Sequence, residues 1–435
     1  MLKDHFCSSP WFHLRVTYDG SFEECRWFKN PRSDANLATT SIMEFYNHDR
    51  MRSLRSDLLD GKSVAGCSSC YYEDKFDKVS GRKRQLLKSA IDVDNFALTA
   101  RSSPHYAEFA HSQTTQGKSR YHIADLQIDL GNICNSACIM CDPKSSSRLE
   151  QDYIQLHKFN PAQFARPEHY RSWTRDTETV KRFVQEVANF KDLKYIHFLG
   201  GETLYDPAFY NICEQLIESG ISQNVIVGTT TNGTIYDARV EGLIKQFKEF
   251  HLGISIESVT ELNDYIRYPG KIAEIKANLD RFLKLREDSK LYISLRITPN
   301  VFTISQLDQL FAYMIENNVI AESCNILYKP ECLRIELMPP EIRTAVLDRF
   351  ETLIEQYQLS KTNHVNIRRS DLISDVVANN IIEYRDLIKN YVVPNNADQL
   401  RTQLVSFVKS FETVRNNSIL DYLPEYEQFL RAYGY

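Results

Sequence analysis

Residues 124–143 read ADLQIDLGNICNSACIMCDP, a short run of alternating apolar residues followed at once by three cysteines. Alternation over so few residues predicts a β-strand. Cys134, Cys138 and Cys141 then stand on a loop just past the carboxyl end of that strand, where parallel-sheet enzymes carry their chemistry. Three thiolates on one loop can bind three corners of an iron-sulfur cube, which leaves the fourth iron open.

The sequence downstream alternates strand-like and helix-like segments. The strand-like runs are 124–130, 194–200, 224–230, 251–257, 291–297 and 323–329. The helix-like segments are 178–190, 206–219, 237–249, 271–287 and 304–317, and a polar helix is expected within 143–177. Strict alternation predicts a parallel α/β sheet with right-handed crossovers, either doubly wound or closed into a complete or partial barrel.

The composition limits the classes of protein to which the chain can belong. A chain of 435 residues with 43% hydrophobic content can bury a substantial core. The net charge of -5 gives no overall attraction to nucleic acid, and the basic run at 81–88 is interpreted as a solvated helix face. The start of the chain lacks a signal peptide and no apolar stretch could cross a membrane, so we expect a cytoplasmic protein without a membrane partner.

A second set of cysteines lies near the amino terminus. Cys7 and Cys25 flank a strand-like stretch with a turn at Asp19-Gly20, and Cys67 and Cys70 follow with C-x2-C spacing. Four cysteines can complete a metal site that is either an iron-sulfur cluster or a structural zinc. Zinc ribbons pair two short knuckles, and Cys7 lies too far from Cys25 to form one, which favours iron-sulfur.

The C-x3-C-x2-C spacing after a strand resembles the signature of the radical S-adenosylmethionine (SAM) enzymes. The Gly-Gly-Glu of FLGGETL, at the end of the second strand, supports this resemblance. The amino-terminal cysteines resemble the auxiliary-cluster modules called SPASM and twitch. Such modules normally follow the barrel and the longer SPASM pattern has further cysteines, so one auxiliary cluster is expected, ahead of the barrel.

The resemblance implies a partial (β/α)6 TIM-like barrel with a small iron-sulfur domain before it and a helical segment after it, both packed around the barrel mouth. The expected limits are 1–80 for the twitch-like domain, 81–122 for a helical linker, 123–335 for the barrel and 336–435 for the carboxyl-terminal segment. Cys134, Cys138 and Cys141 would hold the SAM-binding [4Fe-4S] cluster. The auxiliary [4Fe-4S] cluster would be held by Cys7, Cys25, Cys67 and Cys70.

The resemblance also implies contacts with SAM. The expected residues are Gly200, Gly201, Glu202, Asn232, Ser255, Glu257, Arg296, Thr298 and Met140. The Gly-Gly-Glu would hold the amino group of SAM, and Arg296 could pair with its carboxylate. Asn232 could contact SAM or simply close a loop. Met140 stands where the superfamily usually has an aromatic residue, and it could pack on adenine.

The implied activity is that of an oxygen-sensitive radical SAM oxidoreductase or modifying enzyme. Reductive cleavage of SAM would give a 5'-deoxyadenosyl radical that abstracts a substrate hydrogen, with an electron from a donor such as flavodoxin or ferredoxin. A fully ligated auxiliary cluster favours net oxidation or bond formation. The substrate expected first is a peptide or protein; the alternative is a small sugar, alcohol or amine. A four-cysteine metal protein that binds nucleic acid is a remote alternative.

Overall fold

The structure is a computed structural model. It describes residues 5–29, 33–75, 80–92, 95–120, 123–167, 171–321, 325–360 and 373–435. One sheet runs through it in the order β2-β1-β3-β4-β5-β6-β7-β8. Its strands are β1 (His13–Val16), β2 (Phe22–Glu23), β3 (Asp125–Asp129), β4 (Tyr195–Leu199), β5 (Ile226–Thr231), β6 (Glu249–Ser255), β7 (Leu291–Arg296) and β8 (Ile320–Ala321).

The helices fall into three groups along the chain. Before the barrel they are α1 (Ile42–Tyr46), α2 (Asp49–Leu59), α3 (Ser68–Asp74), α4 (Gly81–Lys88), α5 (Phe96–Ser102) and α6 (Tyr106–Thr114). Within it they are α7 (Ser147–Phe159), α8 (Thr177–Ala188), α9 (Pro207–Glu218), α10 (Ala238–Ile244), α11 (Leu262–Ile266), α12 (Ile272–Glu287) and α13 (Leu307–Glu316). After it they are α14 (Pro340–Gln356), α15 (Ile373–Asn390), α16 (Ala397–Arg415) and α17 (Glu427–Ala432).

The partial (β/α)6 barrel is confirmed. Strands β3 to β8 are all parallel and neighbour one another in chain order. A doubly wound sheet would reverse its strand order at a switch point, so the sequential order fits a barrel wall. Side chains at alternate positions, such as Leu126 and Ile128, join the main core together with residues of the outer helices. The intervening positions, such as Gln127, therefore face the inside of the barrel.

The amino-terminal hairpin extends the barrel sheet, which the sequence did not predict. Strand β1 pairs in parallel with β3, with His13 opposite Asp125 and Val16 opposite Ile128. Strand β2 returns antiparallel after a turn at Gly20, whose φ of +83° suits glycine. The helices expected as a linker pack with Phe6 and Trp11 into a second, smaller core.

Two boundaries differ from the sequence-based expectation. The sixth strand is Ile320–Ala321, whereas 325–329, the described part of the expected run 323–329, forms no strand. Residues 322–324, including Cys324, lie outside the described residues. Helix α10 ends at Ile244 and β6 begins at Glu249, because the apolar positions from Phe250 onward alternate with the period of a strand.

The carboxyl-terminal helices pack against the carboxyl end of the barrel, as expected. Arg415 at the end of α16 donates to the carbonyl of Ala137 in the three-cysteine loop. The hydroxyl of Tyr426 donates to the carbonyl of Val301, beyond β7, at 2.6 Å. Across the ranges given above, no helix has both the length and the apolar character needed to cross a bilayer.

Candidate iron-sulfur sites

The loop with Cys134, Cys138 and Cys141 begins where β3 ends. The backbone N–H of Ala137 donates to the carbonyl of Tyr268 at 2.6 Å, and that of Ile139 donates to the carbonyl of Ile266 at 3.0 Å. These bonds tie the loop to the segment around α11. All three cysteines keep part of their surface exposed. The loop is thus held in shape by the backbone, and its three cysteine residues are only partly buried.

Asn232 fixes the same loop from the end of β5. Its Nδ2 donates to Asn135 Oδ1 and to Ser136 Oγ, both at 2.7 Å. The side chain is 7% exposed. Asn232 therefore positions the cysteine loop, and a contact of Asn232 with SAM stays a prediction.

The Gly-Gly-Glu segment packs directly beneath the loop. A Cβ at Gly201 would lie 2.4 Å from the carbonyl oxygen of Ile133, so only glycine fits without a shift. The buried carboxylate of Glu202 accepts from Thr231 Oγ1 at 2.6 Å and from the backbone N–H groups of Leu204 and Asn232. Burial raises the pKa of Glu202 to about 7, although these bonds oppose the shift. The Glu202 side chain thus ties its own segment to the end of β5 at the carboxyl edge of the sheet.

Arg267, which the sequence analysis missed, lies between Cys138 and Glu257. Its Nη1 lies 3.7 Å from Cys138 Sγ, and its Nη2 donates to Glu257 Oε1 at 2.6 Å. Burial alone would lower the pKa of Arg267, but Cys138 and Glu257 raise it above its ordinary value, so the guanidinium stays charged. Nothing in its local sequence, an arginine after a short apolar helix, signals this role.

The space beside Cys138, next to two buried arginines, suits an anionic group. Arg267 Nε and Arg415 Nη1 are buried and have no hydrogen-bond partner within the described residues. Two buried cations beside one thiol favour thiolate ligands and the negative charge that a cluster bound by three thiolates carries. The donor set on this loop therefore fits an iron-sulfur cluster.

The remaining expected SAM contacts line the carboxyl ends of β6 and β7. Ser255 lies opposite Arg296 in the register of these strands. The backbone N–H of Thr298 donates to Glu257 Oε2 at 2.7 Å. Met140 is partly buried, and its sulfur lies 3.7 Å from Asn300 Nδ2. The structure brings these residues to the loop's end of the barrel, and their contacts with SAM stay predictions.

The thiols of the loop are protonated in the metal-free chain at neutral pH. Burial raises the pKa of Cys134 and of Cys141 to about 12. It also raises the pKa of Cys138, although Arg267 and Arg415 oppose that shift. Because thiolate is the ligand form, metal uptake here releases protons.

The four amino-terminal cysteines line one cavity. The turn that carries Cys67 packs closely on the segment after Cys25. A Cβ at Gly66 would lie 2.6 Å from the ring of Phe28, and one at Gly81 would lie 2.4 Å from the ring of Trp27. The two glycines therefore allow segments distant in sequence to enclose the cavity.

The thiols around this cavity resemble those of the loop in their protonation. Burial raises the pKa of Cys25 and of Cys67 to about 12, and it raises that of Cys7 and Cys70. In the described ranges no three His, Cys, Asp or Glu side chains are grouped to hold one metal ion. Four thiols that converge on one cavity can hold either an iron-sulfur cluster or a tetrahedral zinc, the two alternatives that the sequence left open.

This cavity lies at the amino ends of the strands, not at the mouth as expected. Strand β2 runs antiparallel to β1, so the chain returns past Arg15 before it reaches Cys25. Arg26 is within electrostatic range of Asp125, the first residue of β3. The two cysteine sets therefore lie at opposite ends of the barrel, with its interior between them.

Comparison with known proteins gives two family matches. Residues 128–304 match the radical SAM superfamily, and residues 7–71 match the iron-sulfur cluster-binding domain called SPASM. No curated protein sequence matches the chain.

Among solved structures, native anSMEcpe with bound AdoMet is 18% identical over 54% of this chain and 61% of that chain, with a TM-score of 0.37. Streptococcus suis SuiB bound to S-adenosylmethionine is 14% identical over 81% of this chain and 70% of that chain, with a TM-score of 0.35. SuiB bound to precursor peptide SuiA is 14% identical over 72% of this chain and 61% of that chain, with a TM-score of 0.33. The chain thus spans about three fifths of the length of the anSMEcpe chain that it matches.

The matched segments coincide with the two cysteine sites: the first contains the loop at the end of β3 and the second contains the four cysteines of the cavity. Together they cover more than half of the chain, which belongs to the radical SAM superfamily and carries its SPASM domain ahead of the barrel.

Proposed function

We propose that the protein is a radical SAM enzyme that removes a hydrogen atom from a peptide or protein, with oxidation or cross-linking as the outcome. The observation that carries the proposal is the placement of the two cysteine sets. Cys134, Cys138 and Cys141 lie on one loop at the carboxyl end of the barrel, and four more cysteines surround a cavity at the other end. A substrate inside the barrel would lie between them.

Cofactors supply the difficult chemistry. With a [4Fe-4S] cluster on the loop and SAM bound, the site would supply reductive cleavage of SAM to a 5'-deoxyadenosyl radical, which takes a hydrogen atom from the substrate. A cluster on the other four cysteines would supply an acceptor for the electron that the substrate then loses, so the substrate is oxidised by two electrons. The first electron requires a donor of the flavodoxin or ferredoxin class.

The chain's own residues shape the site. Asn232 and Glu202 hold the cysteine loop and the adjoining turns in one arrangement. Arg267 keeps a positive charge beside Cys138. The barrel wall would exclude water from the space where the substrate loses its hydrogen. These residues bind and position, and the residue that acts on the substrate after hydrogen removal is not assigned.

The SPASM match supports the peptide or protein substrate, since the auxiliary-cluster modules that the chain resembles often serve such modifications. A second candidate is the tailoring of a small sugar, alcohol or amine. The observation that favours it is the barrel interior, which is lined by polar side chains such as Gln127 and His197 and suits a small polar molecule.

The cysteines indicate the cellular compartment in which the protein works. The nine cysteines within the described residues are free thiols. Free thiols destined for iron need a reducing compartment, so we place the protein in the cytoplasm.

The decisive test is formation of 5'-deoxyadenosine from SAM by the anaerobically reconstituted protein with a strong reductant. We expect the product from the wild type and from Cys213→Ala, a control in which a fully buried cysteine of α9 is replaced. We expect none from Cys138→Ala. A wild type that holds a reduced cluster but forms no product, or an equally active Cys138→Ala variant, would refute the proposal.

A further inference from the structure

The inside of the barrel between the two cysteine sets is lined by polar side chains. Arg15, Gln127 and His197 lie side by side on β1, β3 and β4, at positions that face inward. The next inward position, on β5, is Gly228, where a Cβ would lie 2.0 Å from the Tyr195 hydroxyl and 2.8 Å from His197 Nδ1. The missing side chain leaves room for the Tyr195 hydroxyl, which lies 3.1 Å from His197 Nδ1.

Arg26 enters this interior from the SPASM domain. It directly follows Cys25, and its Nε donates to Gln127 Oε1 at 2.7 Å. Gln127 is 1% exposed, whereas Arg26 itself is exposed. Arg26 is thus bonded to a buried inward residue while part of its own surface stays accessible to a ligand.

The positive charge of Arg26 is not balanced by the nearby carboxylates. Asp129 binds Arg15, whose Nε donates to Asp129 Oδ2 at 3.0 Å. Asp125 binds Lys88 at 3.1 Å and lies 3.3 Å from His13. Where the structure describes the chain, the hydrogen-bond partner of Arg26 is the neutral amide of Gln127. The guanidinium therefore keeps donors and charge for a group that the protein does not provide.

A second cation, Arg296, strengthens the positive electrostatic potential near Arg26. The side chain of Arg296 lies across Gly253, where a Cβ would be 2.6 Å from Arg296 Nε. Gly253 is an inward position of β6, so Arg296 extends along the inner wall. Burial lowers the pKa of Arg26, Asp125 opposes that shift, and the charges of Arg296 and Arg15 add to it. An anion near Arg26 is favoured by several charges at once.

We propose that Arg26 anchors an oxyanion of the substrate, a carboxylate or a phosphate, inside the barrel between the two cysteine sets. Guanidinium groups bind both oxyanions through two parallel hydrogen bonds, and Arg26 Nη1 and Nη2 are suited to provide them. The inference rests on the proposed function in one respect, that the substrate enters the barrel. It adds that this substrate is acidic, and it makes Arg26 a specificity-determining residue contributed by the SPASM domain.

The test is binding of two probes, glutarate and inorganic phosphate, to the anaerobically reconstituted protein with SAM present, measured by calorimetry at constant ionic strength. The variants are Arg26→Gln and Arg26→Lys. The matched control is Arg239→Gln, which removes an exposed arginine of α10 paired with Glu214 on the surface. Unchanged iron content verifies that each variant is folded.

We expect saturable binding of at least one probe to the wild type and to the control. Loss of a charged hydrogen-bonding partner should weaken binding about tenfold or more in Arg26→Gln, and less in Arg26→Lys, which keeps the charge. Binding of glutarate alone would identify a carboxylate, and binding of phosphate alone a phosphorylated substrate. Equal affinity in Arg26→Gln and wild type, or no saturable binding of either probe, would overturn the inference.

A second measurement uses the wild type only, so it is independent of variant folding. Phenylglyoxal modifies accessible arginines, and mass spectrometry locates the modified residue. A saturating probe should reduce modification of Arg26 several-fold and leave that of Arg239 unchanged. Unprotected Arg26 would refute the inference, whereas formation of 5'-deoxyadenosine decides the proposed function separately.

Discussion

Replacing Arg267 by methionine should destabilise the metal-free protein by about 3–5 kcal/mol. The magnitude follows from the surroundings of Glu257, whose side chain is 0% exposed. Its two oxygens accept from Arg267 Nη2 at 2.6 Å and from the backbone N–H of Thr298 at 2.7 Å. Without Arg267 the carboxylate stays buried and loses its only ion-pair partner among the described residues.

The double variant Arg267→Met with Glu257→Gln separates this ion pair from simple loss of packing. A neutral amide is easier to bury than a carboxylate, so the double variant should lose only about 1–2 kcal/mol. The two single substitutions would then be non-additive by roughly 2–3 kcal/mol. A coupling of that size is expected only for groups in direct contact inside the protein.

The assay is urea unfolding of the metal-free protein under anaerobic, reducing conditions. Burial raises the pKa of Glu257 to about 7 although Arg267 opposes the shift, so the measurement is made at pH 8, where the carboxyl group of the wild type is mostly ionised. The control is Lys271→Met, which breaks a pair with Asp264 in which the lysine side chain is 62% exposed. Such a surface pair should contribute about 0–1 kcal/mol. If Arg267→Met cost no more than this control, or if the single substitutions were additive, the reasoning would be wrong.

Three further predictions concern the metal, the loop and pH. The double variant Cys67→Ala, Cys70→Ala should retain about half of the iron of the reconstituted wild type, because one of two four-iron clusters loses its ligands. Chemical analysis that found the full iron content in this variant would contradict the prediction. Gly201→Ala should destabilise the metal-free protein by about 2 kcal/mol or more, because its Cβ would lie 2.4 Å from a backbone oxygen. Gly242→Ala, in open space within a helix, should instead stabilise it by up to about 1 kcal/mol. Equal urea unfolding midpoints for the two variants and the wild type would contradict both expectations. Glu202 has its pKa raised from 4.5 to about 7, so its stabilising contribution, on the order of 3 kcal/mol, is complete below pH 4.5 and is lost as the pH rises through 7. Glu202→Gln should therefore show a smaller fall in unfolding midpoint between pH 4.5 and pH 8 than the wild type does.

The sequence could predict what depends on local patterns. The strands from β3 to β7 were predictable because their apolar residues alternate, and the cysteine loop because its spacing is itself local. The sixth strand, Ile320–Ala321, has too few residues to show a pattern. The prediction therefore fell on the apolar run that follows it.

Features that depend on contacts between distant segments were not predictable. Arg267 acts on Cys138, a residue 129 positions earlier in the chain. The cavity at the amino ends of the strands depends on the return direction of β2, a strand of two residues. Likewise, the sequence around Arg26 gives no sign that its side chain reaches Gln127 inside the barrel. Each of these roles follows from tertiary structure that no local periodicity encodes.

The pairing of β1 with β3 also sets an order of events during synthesis. His13 pairs with Asp125, which follows it by 112 positions. At a translation rate of about 5–20 residues per second, the ribosome makes this hairpin roughly ten seconds before the strand that receives it. The four cysteines of the amino-terminal cavity are therefore made early, on a segment whose sheet partner does not yet exist. Iron should enter that cavity only after the first barrel strand has emerged, so the cysteine site translated first waits for a strand made more than a hundred residues later.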